Sequence, residues 1–232
     1  MLLLLRERHT VRGSRAEEFA ATWREGLAPA LERAGLGRLL WFLDQPHGSG
    51  PAYTVVTYTA LAGGAAWEDL AMRASRGDLR DTVDGLDQMR YEVSSTLLAP
   101  LPWSPLRPAG LDDLPPPAAG AAPGLYMEDT VTTRPGMFQA YLEGAGARYA
   151  PRLGPNALLT LVSAATPAWG GGPADRAVLF QRVNDPARLV DLIAHGSPPG
   201  DSSRDDWMST ALTWRDRWRS RLLRPATWSP LQ

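Results

Sequence analysis

The sequence predicts an α+β fold in which two copies of a β-α-β-β-α-β unit close a pseudo-twofold barrel within one chain. A ten-residue segment occurs twice: residues 97–106 (LLAPLPWSPL) return as residues 222–231 (LLRPATWSPL), with seven of ten positions identical. Each copy follows the same order of strand and helix patterns. A Pro-, Ala- and Gly-rich stretch separates the halves. We therefore predict a repeat at 1–106, a linker at 107–124 and a second repeat at 125–232.

In the first half, alternating residues predict a strand from Leu2 to Val11. Apolar residues at spacing four, from Phe19 to Leu31, predict a helix after it, which Pro29 should interrupt. Three further strands are predicted at 38–43, 53–59 and 91–98, with a helical region between the last two that breaks near Gly77. This is the ferredoxin-like order of elements.

The second half repeats this order. Strands are predicted at 126–132, 157–163, 177–183 and 214–222, and helices at 138–153 and over parts of 189–213. Pro151 occupies the place of Pro29, so the helix interruption is itself repeated. A loop at 169–173 joins the middle strands. We expect Trp103 and Trp228, the aromatic residues of the repeated segment, to pin each segment onto its own half.

The composition sets broad limits. The 232 residues carry a formal net charge of −1, so the overall charge indicates no surface for polyanions and disfavours nucleic acid as a partner. All 24 basic residues are arginine, and cysteine is absent, which excludes disulfides, thiolate metal sites and a cysteine nucleophile. The leucine run at the start is too short for a signal sequence or a membrane span. We expect a soluble, cytoplasmic protein without a membrane partner.

The beginning of the chain combines a charged strand end, a turn and an aromatic helix stripe: Glu7-Arg8, Val11-Arg12-Gly13, Phe19 and Trp23. In these features and in its element order, the chain resembles the dimeric α+β barrel superfamily, in particular NIPSNAP-type and antibiotic-biosynthesis monooxygenase domains, in a fused two-repeat form. The resemblance implies that ligands lie between a sheet and its helices. It implies no single activity, because the superfamily includes cofactor-independent oxygenases of aromatic polyketides, polyketide cyclases, haem-degrading enzymes, relatives of haem peroxidases and members with no known activity.

His9 and Glu7 are the candidate catalytic residues. They share one face of the first strand with Leu3, Leu5 and Val11. His9 aligns with the apolar Val131 of the second half, and a histidine could act as a base at neutral pH without any shift of its pKa. The alternative is a strand-end histidine bonded to the backbone. Glu7 aligns with Asp129, and it either pairs with an arginine or orients His9 and contacts a phenol.

Four aromatic residues of the first half, and one at the start of the second, are candidates for the wall of a substrate pocket. Packing within the core is the alternative for each of them. Arg182 is placed at the rim of the same pocket. The candidate substrate-binding residues are Trp41, Tyr53, Tyr58, Trp67, Tyr126 and Arg182.

Arginines alternate along the last strand, at Arg215, Arg217, Arg219 and Arg221. Such a stripe is usually solvated or paired with acids. The alternative is recognition of a carboxylate or phenolate ligand, which suits the planar guanidinium group.

We predict no metal site, because the three histidines have no metal-ligand spacing and thiolates are absent. We also predict no tightly bound cofactor, although nothing in the sequence excludes a haem on His9 or His195. The expected partner is a small aromatic or apolar substrate, and the expected state is a monomer or homodimer.

These features lead to two hypotheses of different class. The first is an enzyme of natural-product metabolism, a cofactor-independent oxygenase or cyclase acting on an aromatic polyketide-like substrate. The second is a non-catalytic ligand-binding or interaction protein of the NIPSNAP-like type. A cavity of roughly 300 Å³ or more that His9 faces would favour the enzyme.

The two halves are also expected to differ in function, with the main pocket in the first half. His9, Trp41, Tyr53, Tyr58 and Trp67 are matched in the second half by smaller, aliphatic or charged residues: Val131, Thr160, Ala177, Arg182 and Leu189.

Overall fold

A computed structural model describes residues 1–118, 123–168, 175–195 and 207–232. The strands are β1 (Leu3–Val11), β2 (Gly37–Asp44), β3 (Thr54–Leu61), β4 (Arg90–Pro100), β5 (Leu125–Thr133), β6 (Leu159–Pro167), β7 (Arg176–Val183) and β8 (Arg215–Pro225). The helices are α1 (Ala16–Ala21), α2 (Ala28–Arg33), α3 (Gly64–Arg76), α4 (Arg80–Met89), α5 (Phe138–Gly144), α6 (Pro186–His195) and α7 (Trp207–Ala211). The predicted loop at 169–173 lies outside the described residues. No helix in the described ranges is long and apolar enough to span a membrane.

The eight strands form one closed antiparallel barrel in the order β1-β3-β2-β8-β5-β7-β6-β4. The predicted fold, two β-α-β-β-α-β repeats in a pseudo-twofold barrel, is confirmed. The halves join at two short seams. Strands β2 and β8 pair only at Leu43 and Asp44, and β4 pairs with β6 only along Leu98–Pro100. Each half therefore contributes a long strand, β4 or β8, whose first part pairs on one side only among the described residues.

Because side chains alternate between the two faces of each strand, the core consists of two separate apolar regions. One face of each sheet points into the barrel, where Leu4, Tyr58, Tyr126 and Leu223 belong to a single core cluster. The opposite face packs against the helices in separate clusters, including one around Phe19 and several in the second half. Strand β3 is buried along its whole length because it lies between both regions.

The linker covers one end of the barrel. Leu114 of the linker and Leu106, just before it, are buried in the interior cluster, and Leu111 packs against this cluster. Arg38 donates a 2.6 Å hydrogen bond from Nη2 to the carbonyl oxygen of Pro115, which ties the linker to β2. The described part of the linker is thus packed against apolar side chains at this end.

A buried ion pair closes the apolar part of the interior. Arg6 donates from Nε and Nη2 to the two carboxylate oxygens of Glu128 at 2.7 and 2.6 Å. Tyr58 Oη donates to the same carboxylate at 2.5 Å, and Arg221 Nη1 lies 3.1 Å from it. Burial alone would raise the pKa of Glu128, but the charge and hydrogen bonds of Arg6 outweigh burial and lower this pKa to about 2.

Both predicted proline interruptions are present as widened helix turns. The helix after β1 passes through a π-helical stretch, Thr22–Leu27, immediately before the turn that contains Pro29. In the second half, the π-helical stretch Ala145–Tyr149 precedes a 3₁₀ turn with Pro151. A proline has no N–H for the helical ladder and its ring crowds the preceding turn, so the ladder shifts register at this place.

The repeated segment packs on the opposite half, and the expectation that it would pin its own half was wrong. Trp228 contacts Phe42 of the first half with ring centroids 4.7 Å apart, and Trp103 packs against second-half residues. We call this packing on the opposite half the exchange of the segments. In each copy, the serine after the tryptophan forms a hydrogen bond to the opposite half. Ser229 Oγ accepts a hydrogen bond from the Phe42 N–H, and Ser104 Oγ accepts one from the Ala164 N–H, both at 3.0 Å. The alignment could not reveal the exchange because the segment is equivalent in both halves.

Candidate functional site

A cavity of about 210 Å³ lies between the first-half sheet and its helices. We call it the N-half cleft. Its wall is largely apolar and comes from the helices, and its polar groups come from β1, β3 and β4: Glu7, Thr59, Arg90 and Ser95 against Trp23, Leu27, Trp67, Leu70 and Leu86. Trp67 is 45% exposed at the surface of α3. The cleft thus combines an apolar wall with a few convergent polar groups, as small-molecule sites usually do.

Glu7 is the carboxylate of the cleft. It lies on the helix-facing side of β1, as strand alternation predicted, and Ser95 Oγ donates a 2.9 Å hydrogen bond to its Oε1. Burial raises the pKa of Glu7 above its usual value, although the Ser95 hydrogen bond and the nearby charge of Arg90 act in the opposite direction. A carboxylate with a raised pKa is a stronger base than one in water.

Arg90 connects the cleft to His9. Its Nη1 lies 2.9 Å from His9 Nδ1, and its Nε donates to Asp87 Oδ1 at 2.8 Å. An arginine can only donate, so Nδ1 of His9 must be the acceptor and the ring proton must lie on Nε2. That nitrogen is 3.3 Å from Thr57 Oγ1.

His9 is therefore a neutral, fully buried imidazole whose two nitrogens are both engaged. Its ring lies against Phe19 and Trp23, at centroid distances of 5.2 and 5.9 Å. Burial lowers its pKa to about 3, and the charges of Arg90 and Arg6 act in the same direction. The expectation of an unshifted pKa was wrong. His9 lies behind the cleft and holds Arg90, whereas Glu7 lies on the cleft surface.

Two buried polar atoms in the residues that line the cleft lack a hydrogen-bond partner among the described residues. They are the indole Nε1 of Trp23 and the hydroxyl oxygen Oγ1 of Thr59. Buried polar groups are nearly always paired, with protein or with bound solvent.

The structure separates the predicted substrate-binding residues. Only Trp67 lines the cleft. Trp41, Tyr58 and Tyr126 point into the barrel, where Tyr126 stacks on Phe180 with centroids 4.8 Å apart. The physical reason is strand phase: Tyr58 pairs with Arg6, which faces the interior, and a bulge after Leu39 shifts Trp41 to the same side.

The remaining two candidates lie elsewhere on the surface. Tyr53 is 58% exposed with φ of +57°, and a Cβ on Gly13 would lie only 2.6 Å from its ring. Tyr53 thus covers the turn after β1. Arg182 is exposed and lies beside Gly124 and Tyr126, outside the lining of the N-half cleft.

Arg90 and Ser95 were not among the predicted site residues, although the repeat indicates both of them. At the offset of 125 that relates the repeated segments, Arg90 matches Arg215 and Ser95 matches Ser220. The second half builds the same arrangement: Ser220 Oγ donates to Asp129, whose pKa is raised by burial, and Arg215 is the nearby positive charge. A carboxylate, a serine and an arginine are therefore grouped in both halves.

The second half fills the space that the first half leaves open. Tyr149 takes the place of Leu27 and donates a 2.6 Å hydrogen bond to Gln181, which takes the place of Thr59. Tyr149 also stacks on Trp207, with centroids 5.2 Å apart. Gln181 Nε2 in turn donates to Asp129 at 3.0 Å. The second carboxylate is thus bonded to protein where the first faces a cavity.

Strand register also corrects the alignment of the halves. Tyr58 pairs with Arg6, and Phe180 pairs with Glu128 at the same step of the second half. Tyr58 therefore matches Phe180, not Arg182. Trp41 matches Ser163, not Thr160, because each follows a strand bulge and pairs with the equivalent residue.

Comparison with solved structures identifies the fold. A candidate monooxygenase from Lactobacillus acidophilus NCFM aligns with a TM-score of 0.61 and 8% identity, over 97% of this chain and 96% of that one. A candidate monooxygenase from Fusobacterium nucleatum aligns with a TM-score of 0.63 and 8% identity, over 97% and 92%. An anthrone oxidase-like protein aligns with a TM-score of 0.59 and 11% identity, over 97% and 91%.

The chain has the fold of the dimeric α+β barrel superfamily, with both repeats fused in one chain. No protein-family model matches the sequence. No curated protein matches it either. Within the described ranges, no group of three or more His, Asp or Glu side chains is arranged to hold a metal ion.

Proposed function

We propose that the N-half cleft binds a small, flat hydroxyaromatic compound and that Glu7 removes a proton from it. The observation that carries this proposal is the carboxylate of Glu7, with its raised pKa, at the surface of an apolar cleft beside Arg90 and Ser95. The matching carboxylate, Asp129, is bonded to protein groups instead. Oxygenation and cyclisation of polyketide-like aromatics both begin with such a deprotonation.

Each polar residue has a distinct role in the proposed step. Glu7 accepts the proton, and Ser95 holds its carboxylate in place by the hydrogen bond to Oε1. Arg90 stabilises the phenolate or enolate that forms, since a positive charge near developing negative charge lowers the barrier. His9 is a positioning residue, because it accepts a hydrogen bond from Arg90 and lies behind the cleft wall.

The anion has two possible fates that define the two activities. In a cyclase, it attacks a carbonyl carbon of the same molecule. In an oxygenase, the carbanion transfers one electron to O₂, the co-substrate, and the resulting radical and superoxide combine to form a C–O bond. The peroxide anion takes back the proton held by Glu7, and loss of water with cleavage of the O–O bond leaves a carbonyl group, so no bound cofactor is needed. The similar anthrone oxidase-like structure makes anthrone-type compounds the first substrates to test.

The test compares Glu7→Gln with the matched variant Asp129→Asn. The wild-type protein is incubated with anthrone and related hydroxyaromatics in air, and product formation and oxygen uptake are measured. We expect Glu7→Gln to reduce turnover by about 10²-fold or more, which is typical for loss of a general base, whereas Asp129→Asn retains it. Wild-type activity should increase with pH through an apparent pKa above the usual glutamate value, because the base must be ionised. Equal loss in both variants would contradict the assignment.

A second candidate function is a non-catalytic ligand-binding protein. Two observations favour it: the cleft volume of about 210 Å³ is below the size expected of an enzyme pocket, and the buried His9 does not face it. Native mass spectrometry of the purified protein distinguishes the two candidates. A retained compound that the protein leaves unchanged, with affinity that is insensitive to Glu7→Gln, would support this alternative.

A further inference from the structure

The barrel interior contains a second and larger cavity, on the side of the Arg6–Glu128 pair that faces away from the linker. It has a volume of about 770 Å³. We call it the arginine recess. Six arginines line it, together with hydroxyl side chains of β4 and β5 and a single acidic residue, Asp216: Arg6, Arg8, Arg176, Arg217, Arg219 and Arg221.

The recess exists because the barrel seams are short. Among the described residues, strand β4 does not pair with β6 on the N-terminal side of Leu98. Likewise, strand β8 does not pair with β2 on the N-terminal side of Arg224. The free parts of β4 and β8 still pair with β1 and β5, so their interior faces remain aligned around one space. Thr130 pairs with Arg219 and Thr132 with Arg217, and Arg8 pairs with Ser94.

The positive charge in the recess exceeds the negative charge available to it. Glu128 is already shared by two of the lining arginines, Arg6 and Arg221. Asp216 is bound by Arg134 at 2.6 Å, and Arg8 pairs with Glu92, 3.4 Å away at the surface. Within the described ranges, Arg217 and Arg219 have no acidic partner, and the buried Nε of Arg176 has no hydrogen-bond acceptor.

Such an arrangement is unfavourable when the recess holds only water. Several guanidinium groups around one partly enclosed space repel one another more strongly than on an open surface. Burial lowers the pKa of Arg221, and the charges of Arg6 and Arg8 act in the same direction against the opposing effect of Glu128. A bound anion would remove this repulsion.

We propose that the arginine recess binds a small molecule with two or more phosphate or carboxylate groups. Guanidinium groups bind both kinds of anion in a bidentate manner. Alternate residues of one strand are about 7 Å apart, so Arg217 and Arg219 can engage separate anionic groups of one ligand. Trp218, 46% exposed beside the recess with Arg215 stacked on its ring at 4.5 Å, can contact a flat part of it. This site is separate from the N-half cleft and does not depend on the function proposed for it.

The first test is isothermal titration calorimetry with pyrophosphate and citrate as separate probes, which distinguishes phosphate from carboxylate ligands. The variant Arg217→Ser/Arg219→Ser is compared with Arg24→Ser/Arg80→Ser, which removes the same charge from exposed helix positions. We expect at least one probe to bind the wild-type protein, with affinity reduced about tenfold or more in the first variant and by less than about threefold in the second. Absence of binding by both probes, or equal weakening in both variants, would overturn the proposal.

The second test uses only the wild-type protein, so it does not depend on folding of the variants. Arginines are modified with phenylglyoxal, with and without the bound probe, and the modified sites are identified by mass spectrometry. Protection of Arg217 and Arg219, with unchanged modification of Arg24, supports the recess as the binding site. Unchanged modification of all three arginines in the presence of saturating probe contradicts it.

Discussion

The two halves share a polar arrangement but differ in what surrounds it. Glu7, with Ser95 and Arg90, lies on a cavity, whereas Asp129, with Ser220 and Arg215, lies in a packed region. The difference arises from neighbouring side chains: Tyr149 and Gln181 occupy the second half where Leu27 and Thr59 stand in the first. A duplicated polar group can therefore line a cavity in one copy and lie among packed side chains in the other, depending on the size of two neighbouring residues.

The barrel interior shows a similar asymmetry at equivalent positions. Arg6 and Glu128 correspond in the two repeats, and they carry opposite charges that pair across the pseudo-twofold axis. Two identical copies could not form this pair, because like charges would face each other. The fused chain has thus acquired a contact that depends on its halves being different.

The largest effect is expected from breaking this pair. Arg6→Ala leaves the carboxylate of Glu128, which is fully buried, with only Arg221 and Tyr58 as partners. We expect the free energy of unfolding to fall by about 3–5 kcal/mol, measured by urea denaturation. The double variant Arg6→Met/Glu128→Met should recover most of this loss. A small effect of Arg6→Ala would show that Arg221 alone compensates the charge.

The exchanged serines provide the next comparison. Ser229→Ala removes the acceptor for the buried Phe42 N–H, and Ser104→Ala does the same for Ala164. Each should lower the free energy of unfolding by about 1–3 kcal/mol, with similar values because the contacts are equivalent. Thermal unfolding of both variants measures this. A clear effect in only one would indicate that the two exchanged segments differ in strength.

The pH dependence of stability separates His9 from its counterpart Val131. The pKa of His9 is lowered to about 3 in the folded state, so the unfolded chain binds a proton first as the pH falls below the usual value near 6.5. The contribution of His9 to the free energy of unfolding is therefore constant above this pH, and the free energy of unfolding decreases as the pH falls toward 3. Between pH 6.5 and 5 the decrease amounts to about 2 kcal/mol.

The measurement is urea denaturation of the wild type and of His9→Val across this pH range. The variant should lack the His9 part of the decrease. The raised pKa values of Glu7 and Asp129 act in the opposite direction in both proteins, so the difference between the two curves isolates His9. Parallel curves would contradict the buried neutral imidazole.

The smallest predicted effect concerns the cleft itself. Leu27→Tyr copies Tyr149 and places a ring in the N-half cleft, so we expect binding of an anthrone probe to weaken about tenfold, equivalent to about 1.4 kcal/mol. The converse change, Tyr149→Leu, alters only the packed half and should leave binding unchanged. Fluorescence titration measures both. Equal weakening would mean that the probe binds outside the cleft.

The fold could be predicted from the sequence because the strands and helices have recognisable patterns of apolar residues, and the same order of patterns occurs in both halves. The sequence placed Glu7 on the correct face, since strand alternation determines the side on which a residue lies. It could not show how deeply His9 is covered, because Phe19 and Trp23 close over it only in the packed structure. A strand bulge turns Trp41 toward the barrel interior, and no residue type in the sequence predicts this bulge.

The net charge also concealed a local feature. A formal value of −1 indicated no surface for polyanions, yet six arginines of β1, β7 and β8 line one recess. Strand pairing causes this clustering, because it brings Arg8 and Arg219 of distant segments to one cavity. Total charge carries no information about such spatial separation.

The exchanged segments have a consequence during protein synthesis. Phe42 is covered by Trp228 and bonded through its N–H to Ser229, a contact that spans 187 positions. Phe19 and Trp23 of the first half pack against Phe42, but while the ribosome is still making the second half the contact with Trp228 is missing, and that part of Phe42 stays exposed. Such late, long-range closure slows folding and leaves intermediates prone to aggregation. The nascent first half is therefore a candidate client for chaperones until residue 229 has left the exit tunnel.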